Sequence, residues 1–281
     1  MLRVFFFLLA SSILAPHSKS WAQYESINHV GEYGIQFGVS QYVGDLNLKV
    51  MANTPKLAVS TFFQKQLNNY VGVKLSAAYT RLGASDQNSN EKNQQLRNLS
   101  FNSDLWEFTL QGQFNFFKFQ PYDPNHRWTP YLTGGLGVFF FNPFAFLQGK
   151  KYFLQPLGTE GQNRADLFPD RKPYTLSALC FPIGAGVKFN VSNNVNIGFE
   201  AVYRFTNTDY IDDVSTTYAG AAAFTPNTPA AALQDRSTEF SPPIGTAGFQ
   251  RGNSTKKDGY FFLQGIVSFN IASYRCPKAS K

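Results

Sequence analysis

The sequence predicts an all-β protein, an eight-stranded antiparallel transmembrane β-barrel with short periplasmic turns and long extracellular loops. Three observations predict this fold. Apolar and polar residues alternate with a period of two in eight segments. Long and short connections alternate between these segments. Finally, no mature segment is apolar for the roughly twenty residues that a membrane helix needs.

Residues 103–117 show the strand pattern most clearly. Trp106, Phe108 and Leu110 share one parity, whereas Glu107 and Thr109 lie on the other. Because successive side chains of a strand point to opposite faces, one face is aromatic and the other is polar. In a membrane barrel the apolar face contacts lipid and the polar face lines the interior.

The remaining strands repeat this alternation. The eight predicted strands are 32–44, 55–66, 71–80, 103–117, 128–141, 174–190, 195–204 and 258–271. The predicted long connections are 45–54, 82–102, 142–173 and 205–257, and the short ones are 67–69, 118–127 and 192–194. Since the two kinds alternate strictly, every long connection falls at one end of the sheet, as in outer-membrane barrels.

A soluble eight-stranded barrel of the lipocalin kind is the alternative fold. Such a barrel turns its apolar face inward. The charged residues of the polar parity would then lie outside, namely Lys74, Glu107, Lys188, Glu200 and Arg204. The two folds therefore differ in which parity faces the interior.

The first 22 residues predict a secretory signal peptide. Arg3 precedes the apolar stretch 4–14, and Ser20 and Ala22 provide small residues at positions −3 and −1 of a cleavage site after Ala22. A membrane anchor would need a longer apolar stretch. Loss of Arg3 and Lys19 lowers the formal net charge from +7 to +5. The remaining basic residues are scattered, so we expect no nucleic-acid partner. The predicted domains are the signal peptide and a barrel over 23–281 with a short periplasmic tail, 272–281.

An eight-stranded barrel has an interior just wide enough for side chains, so we expect no open pore. Lys74, Lys188 and Arg204 can meet Glu107 and Glu200 inside, where an unpaired charge is costly. These five residues are the predicted interior charges. A structural polar core is the favoured interpretation, and a path for protons or solutes is the alternative.

The sequence predicts no catalytic, cofactor or metal site. A serine or cysteine nucleophile needs a nearby base, and neither His29 nor His126 lies in a predicted surface loop. The aspartates 209, 212 and 213 lack the spacing of a calcium loop, so we expect hydrogen bonds within the loop instead. Cys180 and Cys276 lie too far apart along the predicted barrel for a disulfide.

Several blocks of the sequence resemble one family. They are 97–117 (RNLSFNSDLWEFTLQGQFNFF), 129–143 (TPYLTGGLGVFFFNP), 154–162 (LQPLGTEGQ), 208–218 (TDYIDDVSTTY), 38–47 (GVSQYVGDLN) and 250–262 (QRGNSTKKDGYFF). These blocks are similar to the PorG-like outer-membrane proteins of the type IX secretion system. The resemblance implies a non-enzymatic barrel in outer-membrane lipid that contacts a periplasmic ring of PorK-like lipoprotein and PorN-like protein. Residues 219–232 look like an insertion relative to the family's usual loop.

A periplasmic ring could touch only the turns and termini below the membrane. The candidate docking residues are Tyr122, His126 and Arg127 in the 118–127 connection, and Arg275 and Lys278 in the tail. Aromatic residues and arginine are common where binding energy concentrates. The alternative function is a stand-alone surface barrel that acts through its loops as an adhesin or envelope-stabilising protein.

Overall fold

A computed structural model describes residues 29–47, 55–121 and 123–272. It confirms the predicted fold class, a closed antiparallel barrel of eight strands. The strands are β1 (His29–Val43), β2 (Lys56–Gln66), β3 (Val71–Ser85), β4 (Ser100–Asn115), β5 (Trp128–Leu147), β6 (Lys150–Phe153), β7 (Ser177–Ser192), β8 (Val195–Thr206) and β9 (Gly259–Ala272). All of them except β6 belong to the closed barrel.

The barrel closes through hydrogen-bonded neighbours only. The strand order is β4-β3-β2-β1-β9-β8-β7-β5, and β4 also pairs with β5, so the sheet returns on itself. The first and last strands pair antiparallel, with Tyr33 opposite Phe269. Closure leaves the barrel strands without an unpaired edge, which satisfies their backbone groups as a membrane requires.

The two parities of each strand have separate environments. In β4, Phe108 and Leu110 are about half exposed on the outer surface, whereas Glu107, Thr109 and Gln111 are buried inside. The other barrel strands add further outward aromatic and aliphatic residues, including Phe37, Phe63, Leu132 and Phe199. The outer surface therefore carries an apolar belt, and the lipocalin-like alternative with its apolar face inward is wrong.

The fifth strand is longer than predicted. It ends at Leu147 rather than at 141, and it forms a hairpin with β6. Gln148 and Gly149 form the two-residue turn, with φ of 50° and 77°. Positive φ at both turn residues matches the twist of a hairpin and favours glycine at the second position. The predicted loop 142–173 thus begins with strand structure.

Other strands also extend beyond their predicted ends, because their inward residues continue to pack beyond the apolar belt. The third strand reaches Ser85 and the fourth begins at Ser100, so the predicted loop 82–102 shortens to 86–99. The helix α1 (Lys92–Arg97) lies in this connection, and α2 (Pro229–Gln234) lies in the last long connection. Within the described residues, no helix is long and apolar enough to cross a membrane.

The barrel has two distinct ends. The described parts of connections 44–55, 86–99, 148–176 and 207–258 form the loop end, and the described parts of connections 67–70, 116–127 and 193–194 form the turn end. At the loop end, apolar side chains fill the interior in what we call the aromatic layer: Phe101, Leu105, Phe139, Phe141, Tyr260 and Phe262. Ile211, Val214 and Leu233 of the long loops pack in the same cluster. The loops therefore cover the barrel mouth, and we call their packed segments the loop cap.

Several predictions fall outside the described residues. These are the signal peptide 1–22, most of the lead to the first strand, residues 48–54, Tyr122 and the tail beyond Ala272, including Arg275, Cys276 and Lys278. Cys180 is described; it is buried in the barrel and forms no disulfide with a described residue.

Candidate functional site

Glu200 on β8 is the centre of the charged barrel interior. Its carboxylate accepts hydrogen bonds from Lys74 Nζ at 2.7 Å, from the Tyr131 hydroxyl at 2.9 Å and from Gln36 Nε2 at 3.3 Å. Lys74 lies on β3, across the interior from β8. The ion pair therefore ties together strands that are not neighbours in the sheet.

A second ion pair lies nearer the turn end. Lys188 Nζ is 2.5 Å from Glu32 Oε1, and the other Glu32 oxygen accepts from Asn196 and Ser268. We predicted Glu107 or Glu200 as partners for Lys188, and this pairing is wrong because Glu32 is closer to the same end. Glu32 shares the inward parity of Gln36, so the alternation of β1 could have identified it.

The third pair lies directly below the aromatic layer. Arg204 donates to both Glu107 oxygens at 3.1 and 3.2 Å, and its guanidinium lies 3.9 Å from the Phe262 ring centre. The Tyr260 hydroxyl donates to Glu107 at 2.5 Å, and the Cys180 thiol is 3.9 Å from the same carboxylate. All five predicted interior charges thus lie inside the barrel in ion pairs.

Little space remains between these groups. The cavity bounded by Glu32, Gln36, Lys74 and Lys188 has a volume of about 10 Å³. A single water molecule needs roughly this much room. The charged interior below and the aromatic layer above therefore fill the described barrel at these two levels with side chains.

The loop cap contains a different charge arrangement, centred on Tyr42. The Tyr42 hydroxyl is 2.6 Å from Asp212 Oδ2 and 2.6 Å from Asp258 Oδ1. The second oxygen of each carboxyl accepts from a backbone N–H, of Val214 and of Ile211. A phenol has one proton to donate. Two such contacts therefore require a proton on one of the two carboxyl groups.

The surroundings favour that proton. Burial raises the pKa of Asp212 well above its ordinary value, and the charges of Asp258 and Asp45 raise it further. Burial likewise raises the pKa of Asp258, and the negative charge of Asp209 raises it further. Burial also raises the pKa of Asp209 to about 6. The cap thus holds carboxyl groups that titrate closer to neutral pH than ordinary aspartates.

A buried ion pair joins two loops in the cap. Glu160 accepts from Arg251 Nη1 at 3.1 Å, from the Thr216 hydroxyl at 2.7 Å and from the backbone N–H of Ser215 at 2.9 Å. Asp213 accepts from the Tyr174 and Thr159 hydroxyls. The predicted aspartates 209, 212 and 213 therefore lie in loop hydrogen bonds. No group of three ligating side chains among the described residues could hold a metal ion.

At the turn end, the connection 116–127 is folded onto the barrel mouth. Phe119 is buried, with Lys188 Nζ 4.8 Å from its ring centre, and its backbone N–H donates to Asn69 O of the neighbouring turn. Asp123 caps a short 3₁₀ turn at 124–126 and contacts His126 Nδ1 at 2.6 Å. The structure leaves Arg127 exposed beside them.

The closed barrel, the apolar belt and the two unlike ends define an outer-membrane type of β-barrel. Residues 13–220 match the family described as Domain of unknown function (DUF6089), and the chain belongs to that family. No curated protein matches the sequence.

Solved outer-membrane barrels are similar to this chain in fold. Neisserial surface protein A is 12% identical, with a TM-score of 0.42 and coverage of 86% of this chain and 97% of that one. The N-terminal barrel of Pseudomonas aeruginosa OprF is 11% identical, with a TM-score of 0.37 and coverage of 86% and 99%. Ail of Yersinia pestis is 15% identical, with a TM-score of 0.38 and the same coverage.

Proposed function

We propose that this chain is a non-enzymatic outer-membrane component of a type IX protein secretion system. In this role it anchors or positions a periplasmic ring of PorK-like lipoprotein and PorN-like protein. The filled interior supports an anchor rather than a conduit, because ion pairs and the aromatic layer occupy it with buried side chains. The sequence blocks that resemble PorG-like proteins support the same role.

The unequal connections support the orientation that this role requires. Outer-membrane barrels place short turns in the periplasm and long loops outside the cell. The turn end, with connections 67–70, 116–127 and 193–194, would then face the ring. The loop cap would face the exterior.

The folded 116–127 connection is the observation that carries the proposal. The other two turn-end connections are only as long as hairpins need, whereas this one forms a capped turn held by Phe119 and Asp123. A docking element that is already ordered loses little conformational entropy on binding. His126 and Arg127 lie on this connection, and neither side chain is buried in the barrel.

The test replaces Tyr122, His126 and Arg127 together with alanine in cells that carry the secretion system. The barrel should still fold, shown by heat-modifiable migration on a gel, because the described side chains of His126 and Arg127 do not enter the barrel interior. Recovery of the ring with the barrel from detergent extracts should fall, and so should secretion. The matched control is Phe240→Ala with Lys172→Ala, two exposed side chains at the loop end.

A second candidate function is a stand-alone surface barrel that acts through its loops. The packed loop cap favours it, because buried ion pairs such as Glu160 with Arg251 hold an ordered outer surface. Unchanged ring recovery and secretion in the turn-end triple variant, with loss of both on shortening the 207–258 loop, would reject the anchor and support this alternative.

A further inference from the structure

An open groove of about 700 Å³ lies on the loop cap, at the opposite end of the barrel from the proposed ring contact. Three connections form it. Asp45 comes from the first loop, and Asn93 and Gln94 come from the first turn of helix α1. Phe249 and Gln250 come from the last loop. Small-molecule sites in proteins commonly have volumes of about 300–1,000 Å³.

The floor of the groove is held in place by Arg97. Its guanidinium makes two hydrogen bonds to Asp86, at 2.8 and 2.7 Å, and donates to the backbone oxygens of Asp45 and Arg251. Asp45 in turn accepts from the Asn253 N–H at 2.7 Å. One arginine therefore connects all three walls, and the groove exists before any ligand binds.

The wall that carries Phe249 is also fixed by its backbone. Tyr218 N–H donates to Phe249 O at 2.9 Å, and Phe249 N–H donates to Thr246 O. Gly248 precedes it with φ of 86°, a conformation that favours glycine. The Phe249 side chain nevertheless remains 63% exposed. An ordered backbone thus presents an aromatic ring to the solvent.

The free polar groups of the groove are mostly amides. The side-chain amides of Asn93 and Gln250 make no hydrogen bond to another described residue, and each can both donate and accept. The arginines are occupied, Arg97 by Asp86 and Arg251 by Glu160. Lys256 remains opposite the Asp45 carboxylate. The groove therefore offers amides and an aromatic face with nearly balanced charge.

We propose that this groove binds a neutral oligosaccharide. A pyranose ring has an apolar C–H face that packs on an aromatic ring, and its hydroxyls both donate and accept hydrogen bonds, as amides do. A strongly anionic ligand would find no unpaired arginine. A peptide strand would find the N–H groups of Phe249, Arg251, Gly252 and Asn253 already used within the protein.

The test uses the intact barrel in detergent micelles and saturation-transfer NMR with five probes. Three are neutral: N-acetylated chito-oligosaccharides, malto-oligosaccharides, and neutral oligosaccharides released from the envelope of the cell that makes the protein. The other two are a sulfated oligosaccharide and an unrelated peptide. We expect saturation of C–H protons in at least one neutral oligosaccharide. Binding of the envelope material alone would identify a ligand from the same cell, and binding of the other neutral sugars alone would identify a foreign one.

Two variants separate the groove from the rest of the cap. Phe249→Ala should weaken oligosaccharide binding at least tenfold, and Gln250→Ala should weaken it less. Phe240→Ala removes a phenylalanine that is 70% exposed on the same loop but does not line the groove, so binding should not change. Heat-modifiable migration checks folding in each case.

Three results would overturn the proposal: no saturation of any neutral oligosaccharide, binding of only the sulfated probe or the peptide, or equal effects of Phe249→Ala and Phe240→Ala. The proposed ring contact does not enter this experiment, because it uses purified barrel without ring proteins. Each proposal can therefore fail while the other stands.

Discussion

The barrel interior and the loop cap both bury many polar groups, but they balance charge in different ways. Among the described strands, three buried cations face three buried carboxylates, and each cation has its own partner: Lys74 with Glu200, Lys188 with Glu32, and Arg204 with Glu107. In the described loops, the buried carboxyl groups outnumber the two cations that pair with them, the buried Arg251 and the partly buried Arg97. These carboxyl groups are Asp86, Glu160, Asp209, Asp212, Asp213, Asp235 and Asp258.

The two regions balance charge differently because their buried side chains can contact different partners. Inward positions in a narrow barrel lie opposite other strands, so a long lysine or arginine can cross to a carboxylate. The cap pairs two of its carboxylates with arginines, Asp86 with Arg97 and Glu160 with Arg251. Its other carboxyl groups contact hydroxyls, backbone N–H groups and, at Tyr42, a shared proton. We infer that the interior depends on one-to-one ion pairs, whereas the cap combines a few ion pairs with hydrogen bonds and protonation.

The largest effect is expected in the interior. Glu200→Ala leaves the Lys74 ammonium buried without its carboxylate, and losing one partner of a buried pair costs about 3–5 kcal/mol. The free energy of unfolding should fall by that amount in a urea titration of the barrel in lipid vesicles. Replacing both Lys74 and Glu200 with methionine should recover much of the loss, because no charge is then left alone.

The substitutions at Lys74 and Glu200 are not expected to destabilise the cap. If Glu200→Ala changes the unfolding free energy by less than about 1 kcal/mol, as exposed ion pairs do, the interior does not depend on one-to-one pairing. The contrast between the two regions would then be wrong.

A smaller and more local effect is expected from Glu160→Gln. The substitution removes a carboxylate that accepts from Arg251 and from three groups of Ser215 and Thr216, and losing a buried charged hydrogen bond costs about 1.5–3 kcal/mol. Protease should cut within 207–258 more quickly, while the barrel strands keep their resistance.

Glu239→Gln is the matched control for that experiment. Glu239 pairs with Arg236 at 2.8 Å but its side chain is 35% exposed, so its ion pair contributes little. Cutting of the Glu239 variant should therefore match the unmodified protein. Equal acceleration by both substitutions would mean that the buried pair does not hold the cap.

The sequence alone was sufficient for the barrel but not for the cap. Alternation over residues such as Phe108 and Thr109 identifies which parity faces lipid, and it identified the five predicted interior charges. The same alternation in β1 could have identified Glu32, which we did not predict. It also contains the aromatic layer, because Leu105 and Phe101 continue the inward parity of Glu107 with apolar side chains. We did not predict this layer, although five of its six residues lie within the predicted strands 103–117, 128–141 and 258–271; only Phe101 precedes a predicted strand start.

No comparable pattern in the sequence predicts the contacts within the cap. Tyr42 meets Asp212 and Asp258 across 170 and 216 residues of sequence, and those residues lie at strand ends or in loops without periodicity. The groove walls come together in the same way, through Arg97 and the backbone of distant loops. The predicted docking residues on the tail lie outside the described structure, and their role stays a prediction.

The smallest effect concerns the proton shared around Tyr42. The pKa values of Asp212 and Asp258 are raised in the folded protein, so the folded state holds protons that the unfolded chain releases above the ordinary value of 3.8. Stability from these groups is therefore fully present below pH 3.8 and decreases as the pH rises toward the folded values. Asp209 and Asp213, whose pKa values are about 6, add to the loss between pH 4 and 6.

Asp258→Asn should remove part of this dependence. An amide can donate to the Tyr42 hydroxyl at any pH and can still accept from Ile211 N–H. At pH 8 the variant cap should be more stable than the unmodified cap by about 1 kcal/mol, the size of one hydrogen bond, and near pH 4 the two should agree. Protease rates within 207–258, normalised at each pH to an unfolded peptide, measure the difference. Asp235→Asn should instead destabilise the cap at pH 8, because Asp235 accepts hydrogen bonds from Ser237 and Gly245 that the nitrogen of an amide cannot accept. Faster cutting of the Asp258 variant at pH 8 would show that the Asp258 carboxyl stabilises the cap more than a neutral amide does there, and the shared proton would then not explain how the cap holds this pair.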